Sequence, residues 1–315
     1  MAATLPRLTA LLVGVAIAIL GSCGTTAPKP APPTPLPDLG AIPDYVPPPV
    51  AELTARTVRT YDAPEADQGV AVDATYFYPV DNTVIGKYRR DTGNLVGRFV
   101  APNKGLIRHL NSCYARDDQL WCANSNYPLT PMGSSVEVFD ARTMQHVDSR
   151  SLGMTDEGSL TWFDDLPDGR IAGFAHYSGN GGLPFKNHRY ASVVTFDDRW
   201  RRTGGWLFPE TVVARMAPHA ASGGALGPDG LLYILGHDLP EMYVLARPVM
   251  GPTLIHVATI ALEAEGQAFS FTPDGERTVF TIDRRAGHVR QIALPDLPPL
   301  PVDAQAFRKK RSSPD

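Results

Sequence analysis

One kind of apolar segment recurs along this chain, and its recurrence limits the possible folds more than any other feature. YFYPV (Tyr76–Val80), LWCAN (Leu120–Asn124), RIAGFA (Arg170–Ala175), LLYIL (Leu231–Leu235) and TVFTI (Thr278–Ile282) begin 44, 50, 61 and 47 residues apart. Spacings of this size suit one four-stranded propeller blade each. The segments are preceded by glycine beside a small or polar residue, as in Gln68-Gly69, Gly158-Ser159, Ser222-Gly223 and Glu265-Gly266. A third apolar strand follows each of them: VIGKY, SVEVF, SVVTF, MYVLA and HVRQI. Fourth strands such as NLVGRF and IHVATI complete the pattern, and almost no stretch keeps helical spacing.

The predicted fold is therefore all-β, a single β-propeller of five four-stranded blades. The last unit has only three strands before Leu294-Pro295-Asp296-Leu297-Pro298-Pro299. RTVRTY (Arg56–Tyr61), ahead of the first unit, has no other partner. An N-terminal strand closing the last blade joins the ends of the ring and covers an open sheet edge. Extra length between the third and fourth units falls in residues 179–190 and 209–221, which read as face loops. Strand alternation alone leaves a β-sandwich as the competing architecture.

The N-terminus points to export. Leu8 to Gly21 is a 14-residue apolar core behind Arg7, too short to span a bilayer comfortably and suited to a signal peptide. Leu20-Gly21-Ser22-Cys23 resembles the lipobox of bacterial lipoproteins, which implies cleavage before Cys23 and lipidation of that residue. An ordinary signal peptide with an incidental cysteine is the alternative. From Pro28 to Pro49 ten of 22 residues are proline, giving an extended tether with a reach of roughly 70 Å. The expected division is 1–22 signal peptide, 23–51 lipidated N-terminus and tether, 52–297 propeller, and 298–315 disordered tail. The expected address is the cell membrane or outer membrane, held through the lipid.

The net charge is −4, with lysine and arginine scattered, so no face is basic enough to make nucleic acid an expected partner. Arg308-Lys309-Lys310-Arg311 reads as a solvated end. With Cys23 assigned to the lipid, Cys113 and Cys122 remain, flanking Asp117-Asp118. If those aspartates form a two-residue hairpin loop, the cysteines sit directly opposite each other, and an oxidising compartment favours a disulfide over two buried thiols.

In a propeller blade the start of the first strand and the end of the second share a face. First-strand starts carry Gln68, His109 with Asn111, Ser159, Ser222, and Glu265 with Gln267. Second-strand ends carry Asn82, Asn124 with Asn126, His176, His237 with Asp238, and Arg284 with Arg285. Their convergence predicts a polar pocket at one mouth, with His109, His176, His237, Asp238, Glu265, Gln68, Asn124, Gln267 and Arg284 as candidate catalytic or ligand-binding residues. Imidazoles and carboxylates in such a place also suit a divalent metal ion. Singly, each has a plainer role: His176 and His237 as channel fillers, Asp238 as a turn cap, Glu265 as an arginine partner. His188, His219 and His288 read as loop or surface residues. The four tryptophans read as packing between blades.

The chain lacks Gly-x-Ser-x-Gly, His-Glu-x-x-His, Walker and Gly-x-Gly-x-x-Gly signatures. Through GVAVD, SNYP, SSVEVFD, GSLTWFD, FAHY, SGG, GHD and EGQ, covering nearly all of residues 68–285, it resembles exported bacterial propeller proteins labelled cycloisomerase-like. That resemblance implies the fold. Two functions follow as expectations. One is an envelope module binding a small polar ligand or an envelope protein. The other is a lactonase, cyclase or lyase using His237 or His176 as general base, with Glu265 or Asp238 orienting it or holding a cation.

Overall fold

The computed structural model describes residues 45–176, 183 and 185–308; the signal segment, Cys23 and most of the tether lie outside the described residues. The chain enters through β1 (Ala51–Thr54) and β2 (Arg56–Asp62). Blade 1 follows as β3 (Gly69–Val72), β4 (Tyr76–Asp81), β5 (Val84–Arg89) and β6 (Leu95–Val100). Blade 2 is β7 (His109–Arg116), β8 (Gln119–Ser125), β9 (Gly133–Asp140) and β10 (Gln145–Met154). Blade 3 is β11 (Ser159–Leu166), β12 (Gly169–Ala175), β13 (Ser192–Phe196) and β14 (Arg202–Leu207). A short helix α1 (Glu210–Met216) leads into blade 4: β15 (Gly223–Leu226), β16 (Leu232–Leu235), β17 (Glu241–Pro248) and β18 (Ile255–Ala261). Blade 5 holds β19 (Ser270–Phe271), β20 (Thr278–Asp283) and β21 (His288–Ala293), and β22 (Ala304–Gln305) comes last.

The five antiparallel sheets make a five-bladed β-propeller, and β2 is the outer strand of blade 5. Its ladder runs from Arg56 opposite Ala293 to Asp62 opposite His288, the closure expected from RTVRTY. Tyr61 seals the join. Its ring lies 4.6 Å from Phe77 of blade 1 and 5.9 Å from Phe280 of blade 5, and its hydroxyl donates to the Arg90 carbonyl at 2.9 Å. Aspartates set the turns away from the mouth. Asp73 accepts the amides of Thr75 and Tyr76, and Asp140 accepts those of Arg142 and Thr143, so each side chain supplies acceptors the turn backbone lacks.

Cores lie between neighbouring blades. Trp162 of β11 is fully buried, with Gly173 of β12 and Gly224 of β15 against its indole. A Cβ at either position would overlap the ring, so the two glycines make room for a wedge joining blades 3 and 4. In blade 2, Asp117 and Asp118 adopt φ of 46° and 58°, the left-handed pair a two-residue hairpin requires. Arg116 faces Gln119, Cys113 faces Cys122, and the two cysteines are joined as a disulfide.

Three elements differ from the sequence reading. β1 pairs in parallel with β18, Ala51 opposite Ala258, so the edge of blade 4 is covered by chain assigned partly to the tether. Part of the tail expected to be disordered from residue 298 is structured: β22 pairs with β17 and Phe307 is buried. Its ring meets Trp206 edge-on at 5.5 Å, an apolar contact that the surrounding prolines hide from a pattern search. Within the expected face loop 209–221, α1 buries Val212, Val213 and Met216.

Candidate functional site

The inner strands begin at one end of the ring, and there the blades come very close. A Cβ on Gly69 would lie 2.5 Å from the Ala268 Cβ, and one on Gly223 2.5 Å from the Gln267 carbonyl oxygen. Deeper in, Ser270 Oγ of blade 5 donates to the Cys113 carbonyl of blade 2 at 3.2 Å. These blades are not neighbours, so the bond crosses the ring. Polar side chains gather at this end of the ring. The two cavities described, about 400 and 220 Å³, lie elsewhere: one beside Arg59, Arg89 and Arg90, the other beside Trp206 and Phe307.

Two clusters lie at this end of the ring. On blades 1 and 2, Asp67 accepts from Gln68 Nε2 at 2.9 Å and from Asn82 Nδ2 at 3.3 Å. Asn82 Oδ1 lies 2.5 Å from His109 Nδ1. An amide oxygen only accepts, so Nδ1 carries the imidazole proton. His109 is buried, and burial pushes its pKa down to about 4. Asp67 and Asp81 oppose the shift, while His237 adds to it. That influence puts His237 of blade 4 within electrostatic reach of His109 on blade 2.

On blades 4 and 5, Asp238 bridges two imidazoles. His237 Nδ1 lies 2.7 Å from Oδ1 and His219 Nδ1 2.9 Å from Oδ2, with the rings 3.9 Å apart. Burial raises the Asp238 pKa, but the hydrogen bonds from both histidines outweigh it and hold the carboxyl below its usual range. His237 is lowered by burial, with the Asp238 hydrogen bond opposing and His219 and Arg284 reinforcing. Arg284 Nη1 reaches His237 Nε2 at 3.1 Å. Glu265 pairs with Arg285 at 2.7 Å and lies 4.0 Å from Arg284.

The other candidates separate from these clusters. His176, at the mouth end of blade 3, meets the Asp156 carbonyl through Nε2 at 3.1 Å, and burial lowers its pKa. Asn124 is a structural clasp. Its Oδ1 accepts the amides of Arg108 and His109 and its Nδ2 donates to Ser135 Oγ at 2.9 Å, which fixes the start of β7. Buried polar atoms without a hydrogen-bond partner among the described residues occur throughout the propeller, and five of the fourteen, Asn111 Oδ1, Ser159 Oγ, His176 Nδ1, Glu265 Oε2 and Gln267 Oε1, belong to first-strand starts or second-strand ends. Asn111 lies in the irregular step between Leu110 and Cys113 in β7, where a bulge re-aims side chains.

His219, read from the sequence as a loop residue, is the functional candidate that reading missed. It sits three residues before Ser222 and therefore at the mouth, by the same geometry that placed Gln68. Among the described residues, His219, His237 and Asp238 are the group whose ligand atoms approach closely enough to hold a metal ion, all within 4.8 Å of one another.

No family model matches the chain, and no curated protein matches it. Solved structures similar to it include one described as the structure of U3-55K, at 12% identity, 71% of this chain and 80% of that one, with a TM-score of 0.42. Another is the mitotic checkpoint complex, at 11% identity, 81% and 100% coverage, and 0.43. A third is the RRP9 WD40 repeats, at 9% identity, 77% and 98% coverage, and 0.36. The five-bladed assignment stands on the strand pairing of this chain itself.

Proposed function

We propose that the protein is an exported lipoprotein, held to a membrane through Cys23, whose propeller binds a small polar ligand in the basin at its mouth. The observation that carries this reading is the set of buried polar atoms without partners around that basin. Each such atom costs about 1–3 kcal/mol unless something pairs with it. A ligand rich in hydroxyl, amide or carboxylate groups meets that need. The Cys113–Cys122 disulfide suits an oxidising compartment, and the signal-like residues 1–22 lead there.

The catalytic alternative lacks comparable support. His237, the suggested general base, has Asp238 on one ring nitrogen and Arg284 on the other. Glu265 pairs with arginines and not with His237. A second reading, docking of an envelope protein on the mouth, is favoured by exposed Leu106, Leu129, Met154, Phe185 and Leu239, all in or beside loops on that side.

Two results test the proposal. Cys23→Ser is expected to move the protein from the membrane to the soluble envelope fraction and to abolish palmitate labelling; a labelled, membrane-bound variant refutes the anchor. Native mass spectrometry of protein extracted from envelopes is expected to find a retained small ligand, lost in Gln267→Met and Asn111→Leu. Those variants replace unpaired polar atoms with apolar ones of similar size, so they should unfold at equal or higher urea concentration than the parent. If both variants lose more than about 2 kcal/mol of stability, the atoms are paired within the protein and the argument fails.

A further inference from the structure

We infer that His219, His237 and Asp238 form a binding site for one divalent transition-metal ion of the zinc class, at the rim of the basin. The inference goes beyond the ligand reading: its three metal-binding residues are not among the unpartnered ones, and only Glu265, in a supporting part, is shared. Two segments supply the donors: the loop after α1 brings His219, and the turn that follows β16 brings His237 and Asp238. Each imidazole presents Nδ1 to a different oxygen of one carboxylate, at 2.9 and 2.7 Å. The two rings, 3.9 Å apart and tilted by 32°, hold both nitrogens against that carboxylate.

Two neutral imidazoles and one carboxylate suit Zn²⁺ or Fe²⁺, because borderline ions favour nitrogen, whereas Ca²⁺ and Mg²⁺ favour oxygen-only sets. Three protein ligands leave coordination positions open. The site is also reachable: the side chains of Asp238, His219 and His237 are 47%, 32% and 24% exposed.

The surroundings answer an evident objection. A metal on His237 Nδ1 moves the ring proton to Nε2, where Arg284 Nη1 now donates, and two donors then face each other. Glu265 Oε2 resolves the clash. It is buried, has no hydrogen-bond partner among the described residues, and lies 4.0 Å from Arg284 Nε. Arg284 can therefore turn onto Glu265 when the metal enters, and neither charge is left unpaired. Glu265 acts in this scheme as a positioning residue for Arg284 and does not touch the metal.

The test uses the full chain, purified in detergent without a histidine tag and stripped with chelator. Titration calorimetry with Zn²⁺ is expected to give one equivalent per chain, and Co²⁺ to give visible d–d absorption bands. His219→Ala and Asp238→Asn should each weaken Zn²⁺ binding by about 100-fold or more, and Glu265→Gln by about 10-fold. His288→Ala, outside the cluster, should leave it unchanged. Should Asp238→Asn fail to fold, His219→Ala decides alone, because its side chain lies at the surface. Absence of saturable Zn²⁺ uptake overturns the inference, as does uptake that survives His219→Ala; Asp238 is then only a hydrogen-bond acceptor for two histidines. Because the probe is the metal alone, neither result depends on whether the basin holds an organic ligand.

Discussion

A chain lacking residues 51–62 is expected to lose its cooperative unfolding transition and to aggregate. The deletion removes β2, whose ladder with β21 completes blade 5, and β1, which covers the edge of blade 4. Both exposed strands then become templates for pairing with other chains. It also removes Tyr61, which is 5% exposed and stacks between Phe77 and Phe280. Truncating a buried aromatic alone costs about 3–5 kcal/mol, a large part of the roughly 5–15 kcal/mol available to a domain. Tyr61→Ala therefore offers a graded version, with a matching fall in urea stability and no change of subunit state. Size-exclusion chromatography and urea denaturation check both. A truncated chain that stays monomeric with an unchanged midpoint would falsify closure by the N-terminal strand.

Acid is the second large lever. His109 and His256 are both buried, 8% and 7% exposed. Burial is the main cause that pushes each pKa down to about 4. The fields of Asp67 and Asp81 partly oppose it at His109, and the Ala258 carbonyl does so at His256. In the unfolded chain both titrate near 6.5. Between about pH 6.5 and 4 the unfolded state therefore holds more protons than the folded one, and stability falls as pH falls. The loss is complete below the folded values and amounts to about 3 kcal/mol per histidine. Urea midpoints measured from pH 7 to 4.5 should decline steadily, and His109→Gln and His256→Gln should each remove a large part of the slope. The remainder comes from His176 and His237, which burial also lowers. Carboxylates held low, such as Asp140 and Asp197, act below this window. A flat profile, or a slope untouched by both variants, sinks the argument.

The repeat was legible because each second strand is an apolar run between turn residues, and because a sheet edge left bare at one end of the chain matched an orphan strand at the other. The Cys113–Cys122 pairing was legible for a local reason, since a two-residue loop fixes register by counting. β1 and β22 were not, being four and two residues long and set among prolines that mask any alternation. α1 spans seven residues, too few for a periodic signal, with Val212, Val213 and Met216 as its whole apolar face. For the mouth, the inner-strand rule speaks only to position, setting Gln68, His109, His237 and Gln267 at strand starts and ends. Pairwise partnership was beyond it: Asn124 turned inward to hold β7, and Glu265 went to arginine. His219 depended on how α1 folds the preceding loop, although its nearness to Ser222 carried the relevant signal.

The hydrogen bond from Ser270 to the Cys113 carbonyl has a mechanical consequence. It ties blade 5, which the N-terminal strand completes, to blade 2, which the disulfide braces. Splaying the ring at its closure therefore has to break a tie at the hub as well as the outer ladder.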